Sequence, residues 1–75
     1  MSLNNDRKIR NRIAVLRAEW NLSQKQLAEE LGVSRQTIHS LEKNKYNPSL
    51  KLAFEISLFF GVALQEVFQY EEEEA

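Results

Sequence analysis

Two short helix patterns lie side by side in the middle of the chain, and the turn between them leaves little freedom in how they pack. Ser23 is a favourable N-cap, and Gln26 follows three residues later, at the spacing of a capping box. Gly32 ends the first pattern, because a residue without a β-carbon adopts the left-handed conformation at no steric cost. Ser34 then caps the second pattern. Two helices joined by so short a turn must cross at a sharp angle, and the small Ala28 lets them approach closely.

The second helix of this pair has one apolar side and one polar side. At about 100° per residue, Ile38 and Leu41 share the side that faces the rest of the domain. The polar side carries Gln36, His39, Ser40 and Lys43, with Arg35 at the exposed N-terminal end. This side has no acid and no large apolar group, and its donors and acceptors match those of base edges and phosphates. A helix exposed in this way fits the major groove of DNA, which is about 12 Å wide.

The remaining sequence is predicted to be helical as well, because no stretch alternates like a strand for long. We expect an all-α, compact domain of five helices, over residues 7–19, 24–31, 35–43, 50–60 and 64–68. Ile9, Ile13, Leu16 and Trp20 recur at helical spacing in the first helix, and Trp20 is expected in the core or at its rim rather than stacked on a base. The helix boundaries are marked by Ser23, Ser34 and Ser49 at N-termini and by Asn21, Gly32 and Gly61 at C-termini.

Composition excludes several functional classes. The 75 residues form one small domain, and the absence of cysteine rules out disulfides and thiolate metal sites. His39 is the only histidine, and its helix face has no carboxylate that could complete a metal site. No paired carboxylates or glycine-rich phosphate loop are evident, so we expect no enzymatic activity, no cofactor and no small-molecule ligand. No apolar run approaches the roughly 18 residues that span a bilayer, and no signal peptide is evident, so we expect a cytoplasmic protein without membrane contact.

The charge of the chain is distributed very unevenly. The net charge is −1, but residues 1–51 carry ten basic and five acidic residues, whereas residues 52–75 carry six acidic residues and no lysine or arginine. A polyanion would therefore meet the first two thirds of the chain. We divide the chain into a domain over residues 1–70 and an acidic tail over residues 71–75. The tail is interpreted as a solvated, disordered segment, or else as a mimic of DNA that competes for the basic face.

The central motif and its flanks resemble a known family. The strings SQKQLAEELGVSRQTI, LEKNKYNPSL and FGVALQEVF are similar to those of the XRE-like regulators of bacteria and phages, which include the lambda-type repressors. The resemblance covers residues 11–68, and it implies a lambda-repressor-like fold with a helix-turn-helix formed by helices 2 and 3. It also implies a pair between Arg17 of the first helix and Glu42 at the end of the third, which we interpret as structural.

The resemblance and the polar side of the third helix together predict the DNA contacts. The predicted base contacts are Arg35, Gln36, His39 and Ser40, of which His39 and Ser40 would set operator preference. The predicted contacts with the DNA backbone are Gln24, Lys25, Thr37, Lys43, Asn44, Lys45 and Asn47. The predicted partner is thus a double-stranded DNA operator.

The fourth helix has two apolar faces, which suggests that one of them meets a second subunit. Leu52, Ala53, Ile56 and Phe60 suit the core, whereas other apolar residues point to roughly the opposite side. The predicted dimer interface consists of Leu50, Phe54, Leu58, Phe68 and Tyr70, with the segment around residues 67–70 as a possible exchanged strand. Two-fold symmetry would let two recognition helices read two half-sites. The alternative is burial of Phe54 and Leu58 within one monomer.

These observations predict a sequence-specific transcriptional regulator, acting as a repressor that binds an inverted-repeat operator as a homodimer. Two alternatives remain open. One is an antitoxin that binds DNA and also a toxin protein, and the other is a protein-interaction module that has lost DNA binding. The basic and polar side chains of the third helix argue against the last of these.

Overall fold

The computed structural model describes residues 8–45 and 47–71, which form five helices and a two-stranded antiparallel sheet. The elements, in chain order, are β1 (Lys8–Asn11), α1 (Ile13–Glu19), α2 (Gln24–Leu31), α3 (Arg35–Glu42), α4 (Leu50–Phe60), α5 (Leu64–Val67) and β2 (Phe68–Glu71). The five-helix domain is confirmed, whereas the all-α class is not strictly confirmed, because two short strands are also present. Of the predicted acidic tail, Glu71 is the last residue of β2, and residues 72–75 lie outside the described part of the chain.

Serine caps begin the three central helices, as predicted. The Oγ atoms of Ser23, Ser34 and Ser49 accept backbone N–H bonds from the third residue of α2, α3 and α4, at 3.0, 3.1 and 3.1 Å. At α2 the Gln26 side chain reciprocates, since its Oε1 accepts the backbone N–H of Ser23 at 2.8 Å. This capping box satisfies two backbone groups that would otherwise have no partner at the helix end.

Left-handed residues end α2 and α4 at the predicted positions. Gly32 has φ 71° and Gly61 has φ 69°, and the non-glycine residues Asn21 and Asn44 adopt φ 56° and 58°. Asparagine tolerates this conformation better than other residues with a β-carbon. The chain therefore reverses after α1, α2, α3 and α4 without unfavourable backbone geometry.

One apolar core joins the helices. It consists of Ile13, Leu16, Leu27, Ala28, Ile38, Leu41, Leu52, Ile56, Phe60 and Val67. Trp20 lies at the rim of this core, 49% exposed, with its ring 5.2 Å from Phe60 and 5.4 Å from Phe59 between centroids. None of the helices in residues 8–45 and 47–71 is long and apolar enough to cross a membrane.

Strands β1 and β2 form an antiparallel ribbon, and β1 occupies most of the predicted beginning of α1. Lys8 pairs with Glu71, and Asn11 pairs with Phe68 at the other end of the antiparallel register. The helix begins only at Ile13. The N–H of Ile13 donates to Asn11 Oδ1 at 3.1 Å, and the N–H of the preceding residue, Arg12, donates to the carbonyl of Val67 at 2.8 Å. The prediction that the first helix begins at residue 7 is therefore wrong for residues 8–12, and residue 7 itself lies outside the described part of the chain.

Two residue assignments change with this ribbon. Ile9 lies in β1 and not on the face of the first helix, and Phe68 begins β2 and does not end α5. The segment around Phe68 and Tyr70 is a strand, but its partner here is β1 of the same chain.

Candidate nucleic-acid interface

The turn between α2 and α3 fixes the angle at which α3 stands on the domain. The backbone N–H of Gly32 donates to Glu29 at 3.3 Å, and that of Val33 donates to Ala28 at 3.0 Å. Ala28 is buried and Val33 packs against the core, so the two helices meet closely at this point. These contacts hold α2 and α3 together at the turn, as a helix-turn-helix requires.

The apolar side of α3 is anchored, and its polar side faces solvent. Ile38 and Leu41 are fully buried. On the opposite side Gln36 and His39 are exposed, and the half-buried Ser40 accepts a long hydrogen bond of 3.5 Å from Gln36 Nε2. Arg35 is exposed at the N-terminal end and Lys43 just after the C-terminal end, so the predicted recognition residues form one continuous strip along α3.

Thr37 lies beside this strip, next to the helix cap. Its side chain is half-buried, and its Oγ1 is 2.9 Å from Ser34 Oγ at the start of α3. When Ser34 Oγ is the donor of this contact, the single hydroxyl hydrogen of Thr37 is left for a phosphate oxygen.

Glu42 joins α1, α2 and α3 through three hydrogen bonds. Its Oε2 accepts from Arg17 Nε at 2.8 Å, and its Oε1 accepts from Arg17 Nη2 at 3.2 Å and from Gln24 Nε2 at 3.0 Å. Arg17 Nη1 donates in addition to the carbonyl of Leu22 at 2.9 Å. The hydrogen bond with Glu42 and its negative charge hold the pKa of Arg17 above its ordinary value, against a smaller opposing effect of burial. The predicted structural pair between Arg17 and Glu42 is therefore present.

The start of α2 lies next to this pair. Gln24 gives one amide hydrogen to Glu42, and its second amide hydrogen remains for another acceptor. Lys25 is exposed beside it. Phosphates are favourable at such a helix end because backbone N–H groups and the helix dipole point toward it. The network thus orients Gln24, a role that the sequence did not predict for it.

The segment after α3 adds a second polar region. Lys43, Asn44, Lys45 and Asn47 are all exposed in it. The backbone N–H of Lys45 donates to the carbonyl of Ser40 at 2.9 Å, which holds this segment against the end of α3. Apart from Thr37 in the first turn of α3, the predicted backbone contacts therefore fall in two regions, one at the start of α2 and one after α3.

Asn11 is a residue of this region that sequence reasoning missed. Its Nδ2 donates to the carbonyl of Leu41 at 2.8 Å and to Asn44 Oδ1 at 3.1 Å. No local pattern marks it, because its partners lie about thirty positions away in the chain.

The predicted dimer residues lie mostly on the surface. Leu50, Phe54, Leu58 and Tyr70 are 70%, 49%, 77% and 57% exposed, and Phe68 is half-buried against the core. Burial of Phe54 and Leu58 within one monomer, the alternative considered above, is therefore wrong. Beside Leu50 lies a shallow groove of about 290 Å³ whose lining includes Ala53, Leu64 and Phe68.

Comparisons with known proteins agree with this architecture. A family model described as helix-turn-helix matches residues 13–67, from the start of α1 to the end of α5. An uncharacterised HTH-type transcriptional regulator of Methanocaldococcus jannaschii is 54% identical over 66 residues, which cover 88% of this chain and all of that protein (100%). The HTH-type transcriptional regulator YgzD of Bacillus subtilis, also uncharacterised, is 43% identical over 65 residues, or 87% of this chain and 98% of that one.

A solved structure extends the comparison to the fold. The transcriptional regulator VanUg has a TM-score of 0.76 and covers 97% of this chain and 99% of its own, at 21% identity. That similarity shows the fold alone. Family membership is shown by the family model and by the sequence relatives. The chain belongs to the XRE-type helix-turn-helix family and carries the DNA-binding domain of a transcriptional regulator.

Proposed function

We propose that this regulator represses transcription by binding an inverted-repeat operator as a homodimer. The observation that carries the proposal is the polar strip of α3, which faces solvent while Ile38 and Leu41 anchor the same helix in the core. Such a helix can enter the major groove without losing its support from the domain. Its site of action is then the cytoplasm, and no catalytic step is required of it.

Base reading is assigned to the exposed strip itself. Arg35 can bind the O6 and N7 acceptors of guanine through its guanidinium fork, and Gln36 can make paired hydrogen bonds with adenine. Ser40 and His39 add a hydroxyl and an imidazole that discriminate neighbouring bases. The strip itself contains no acidic residue that would repel the DNA at this face.

Phosphate binding is assigned to the regions at the two ends of the motif. Gln24, Lys25 and Thr37 would contact one strand, and Lys43, Asn44, Lys45 and Asn47 the other. Each phosphate neutralised on duplex DNA makes the fall of log affinity with log salt steeper, by about 0.9 in slope. Binding should therefore weaken steeply as salt rises, for random and operator DNA alike.

The exposed apolar face of α4 is assigned to the second subunit. Leu50, Phe54 and Leu58 follow one another at intervals of one helical turn, and all three are half-exposed or more. A soluble monomer rarely leaves such a continuous stripe in water, and a two-fold contact would cover it on both subunits at once. The half-sites would then lie about one turn of DNA apart, or a multiple of it.

The experiment that tests this function is selection of bound sequences from a random DNA library, with wild type and Gln36→Ala run in parallel. We expect an inverted repeat in the wild-type pool and relaxed preference at one position of each half-site in the variant. Selection of a single half-site would refute the dimer. No enrichment at all would refute operator recognition.

The exposed apolar face also supports a second candidate, an antitoxin. In that case Phe54 and Leu58 would bind a toxin protein while α3 binds DNA. A toxin gene adjacent to this gene, and a complex with its product that Leu58→Glu abolishes, would favour the antitoxin. A homodimer that forms through the same face without any partner would favour the repressor.

A further inference from the structure

A basic groove lies between the β1–β2 ribbon and the segment that follows α3. Its volume is about 640 Å³, and its polar lining consists of Lys8 and Arg10 from β1, Lys43, Asn44 and Asn47 after α3, and Tyr70 from β2. None of the described lining residues is acidic. In the backbone register of the ribbon, Lys8 lies opposite Glu71.

The groove has a fixed relation to the recognition helix because Asn11 ties its two walls together. Asn11 Nδ2 donates to the carbonyl of Leu41 in the last turn of α3 and to Asn44 Oδ1, at 2.8 and 3.1 Å. The neighbouring residue of β1, Arg10, is paired with Gln69 of β2. The ribbon edge is therefore held against the C-terminal end of α3, so that it moves with this helix.

The chemistry of the groove suits phosphodiesters. Two ammonium groups and one guanidinium supply positive charge, and the two asparagine amides and the phenol supply hydrogen-bond donors. These are the groups that bind phosphate oxygens in protein–DNA complexes. An open groove lined in this way accepts a chain that passes through it, such as a DNA strand.

We propose that Lys8 and Arg10 bind the DNA backbone beside the bases that α3 reads, and that the ribbon thereby extends the phosphate-binding surface. The proposal rests on the DNA-binding function proposed above. It adds β1 to the contacts made by Lys43, Asn44 and Asn47, which line the same groove. The two new contacts carry affinity and no sequence preference, because phosphates are the same at every base pair.

The test compares two double variants with wild type. Lys8→Ala with Arg10→Ala removes both charges, whereas Lys8→Arg with Arg10→Lys keeps them. Affinity is measured by fluorescence anisotropy on the selected operator and on a random duplex, between about 50 and 200 mM salt. Far-UV circular dichroism and thermal unfolding establish that each variant is folded.

In the alanine variant, the slope of log affinity against log salt should become less steep by about 0.9 for each phosphate contact removed, up to two contacts. At about 0.1 M salt the same exponent gives about an eightfold loss of affinity per contact. Both DNAs should lose affinity equally, and the charge-keeping variant should bind like wild type.

The outcomes separate this inference from the function on which it rests. If wild type binds duplex DNA and the folded alanine variant has the same affinity and salt slope, the ribbon contact is overturned and the proposed function stands. A loss confined to the operator, or an equal loss in the charge-keeping variant, also overturns it. If wild type binds no duplex at all, the proposed function itself fails.

Discussion

Arg17 on α1 and Glu42 on α3 form a bidentate pair, with Nε to Oε2 at 2.8 Å and Nη2 to Oε1 at 3.2 Å. Their side chains are 21% and 8% exposed, so the pair is largely shielded from water. Gln24 bonds to the same carboxylate, which therefore sets both the end of α3 and the start of α2. The two elements that we assign to DNA are thus positioned by one side chain.

Replacing Glu42 with alanine should destabilise the domain strongly. The change leaves the Arg17 guanidinium largely shielded from water with only the carbonyl of Leu22 as acceptor, and breaking a buried pair costs about 3–5 kcal/mol. Since Arg17 keeps some exposure to water, we expect a loss of about 3 kcal/mol in the free energy of unfolding. Urea unfolding measures it. The exposed Glu19→Ala is the control, with a change within about 0.5 kcal/mol.

The stability that this pair confers should not change with pH near neutrality. The pKa of Arg17 is raised in the folded state, so its contribution is fully present below the unfolded-state value and is lost only as pH rises through the folded-state value. The difference in unfolding free energy between wild type and Arg17→Met should therefore be the same at about pH 7 and about pH 9. A difference that shrinks over this interval would contradict the assignment.

Gln36→Ala and Lys43→Ala should separate base reading from phosphate binding. Loss of a paired base contact costs about 1–3 kcal/mol on the operator and little on random DNA. Loss of a phosphate contact weakens both and lowers the salt slope by about one. Titrations of both variants on both duplexes measure these effects. Equal losses for both variants on both duplexes would refute the division of roles.

Leu58→Glu should dissociate the proposed homodimer. Burying a leucine side chain contributes about 1.5–3 kcal/mol, so the dissociation constant should rise at least about tenfold. Analytical ultracentrifugation over a range of concentrations measures it. Val15→Glu is a matched control, because Val15 is also a half-exposed aliphatic residue but lies on α1. If both variants behave like wild type, α4 does not form the interface.

Gly32→Ala tests the backbone geometry of the turn. A β-carbon at this position would meet no atom within 4 Å, so only the left-handed conformation, at φ +71°, opposes the change. We expect a loss of about 1–2 kcal/mol in unfolding free energy, seen as a fall in Tm of at least about 4 °C. Gly32→Asn should lose less, because asparagine tolerates this conformation. Equal losses in unfolding free energy for the two variants would show that the φ angle of Gly32 does not set the cost of substitution.

The helices could be predicted from the sequence because their signals are local. The Ser23 cap and its Gln26 partner lie within four residues of each other, and Gly32 needs only its own backbone conformation. The face of α3 follows from angular spacing alone, so its buried Ile38 and its exposed Gln36 are where the pattern predicts them. The Arg17–Glu42 pair, in contrast, was predicted only from the family resemblance.

The ribbon could not be predicted in the same way. Each strand has four residues, which is too short for an alternating pattern to stand out. Ile9 also lies four residues before Ile13, a spacing that resembles one turn of helix. The pairing of β1 with β2 joins residues from opposite ends of the described chain, and single-sequence periodicity carries no information about such contacts. For the same reason Lys8 and Arg10 were not among the predicted DNA contacts.

The pairing of β1 with β2 also has a consequence for the order of events during synthesis. The contacts between α2 and α3 join consecutive elements and can form while the chain is still being made, whereas the packing of α2 against α4 needs a later part of the chain. The edge that carries Lys8 has no strand partner until Phe68–Glu71 has left the ribosome. If the ribbon binds DNA as proposed, the phosphate-binding surface of a nascent chain is completed only when β2 pairs with β1, later than the contacts between α2 and α3 can form.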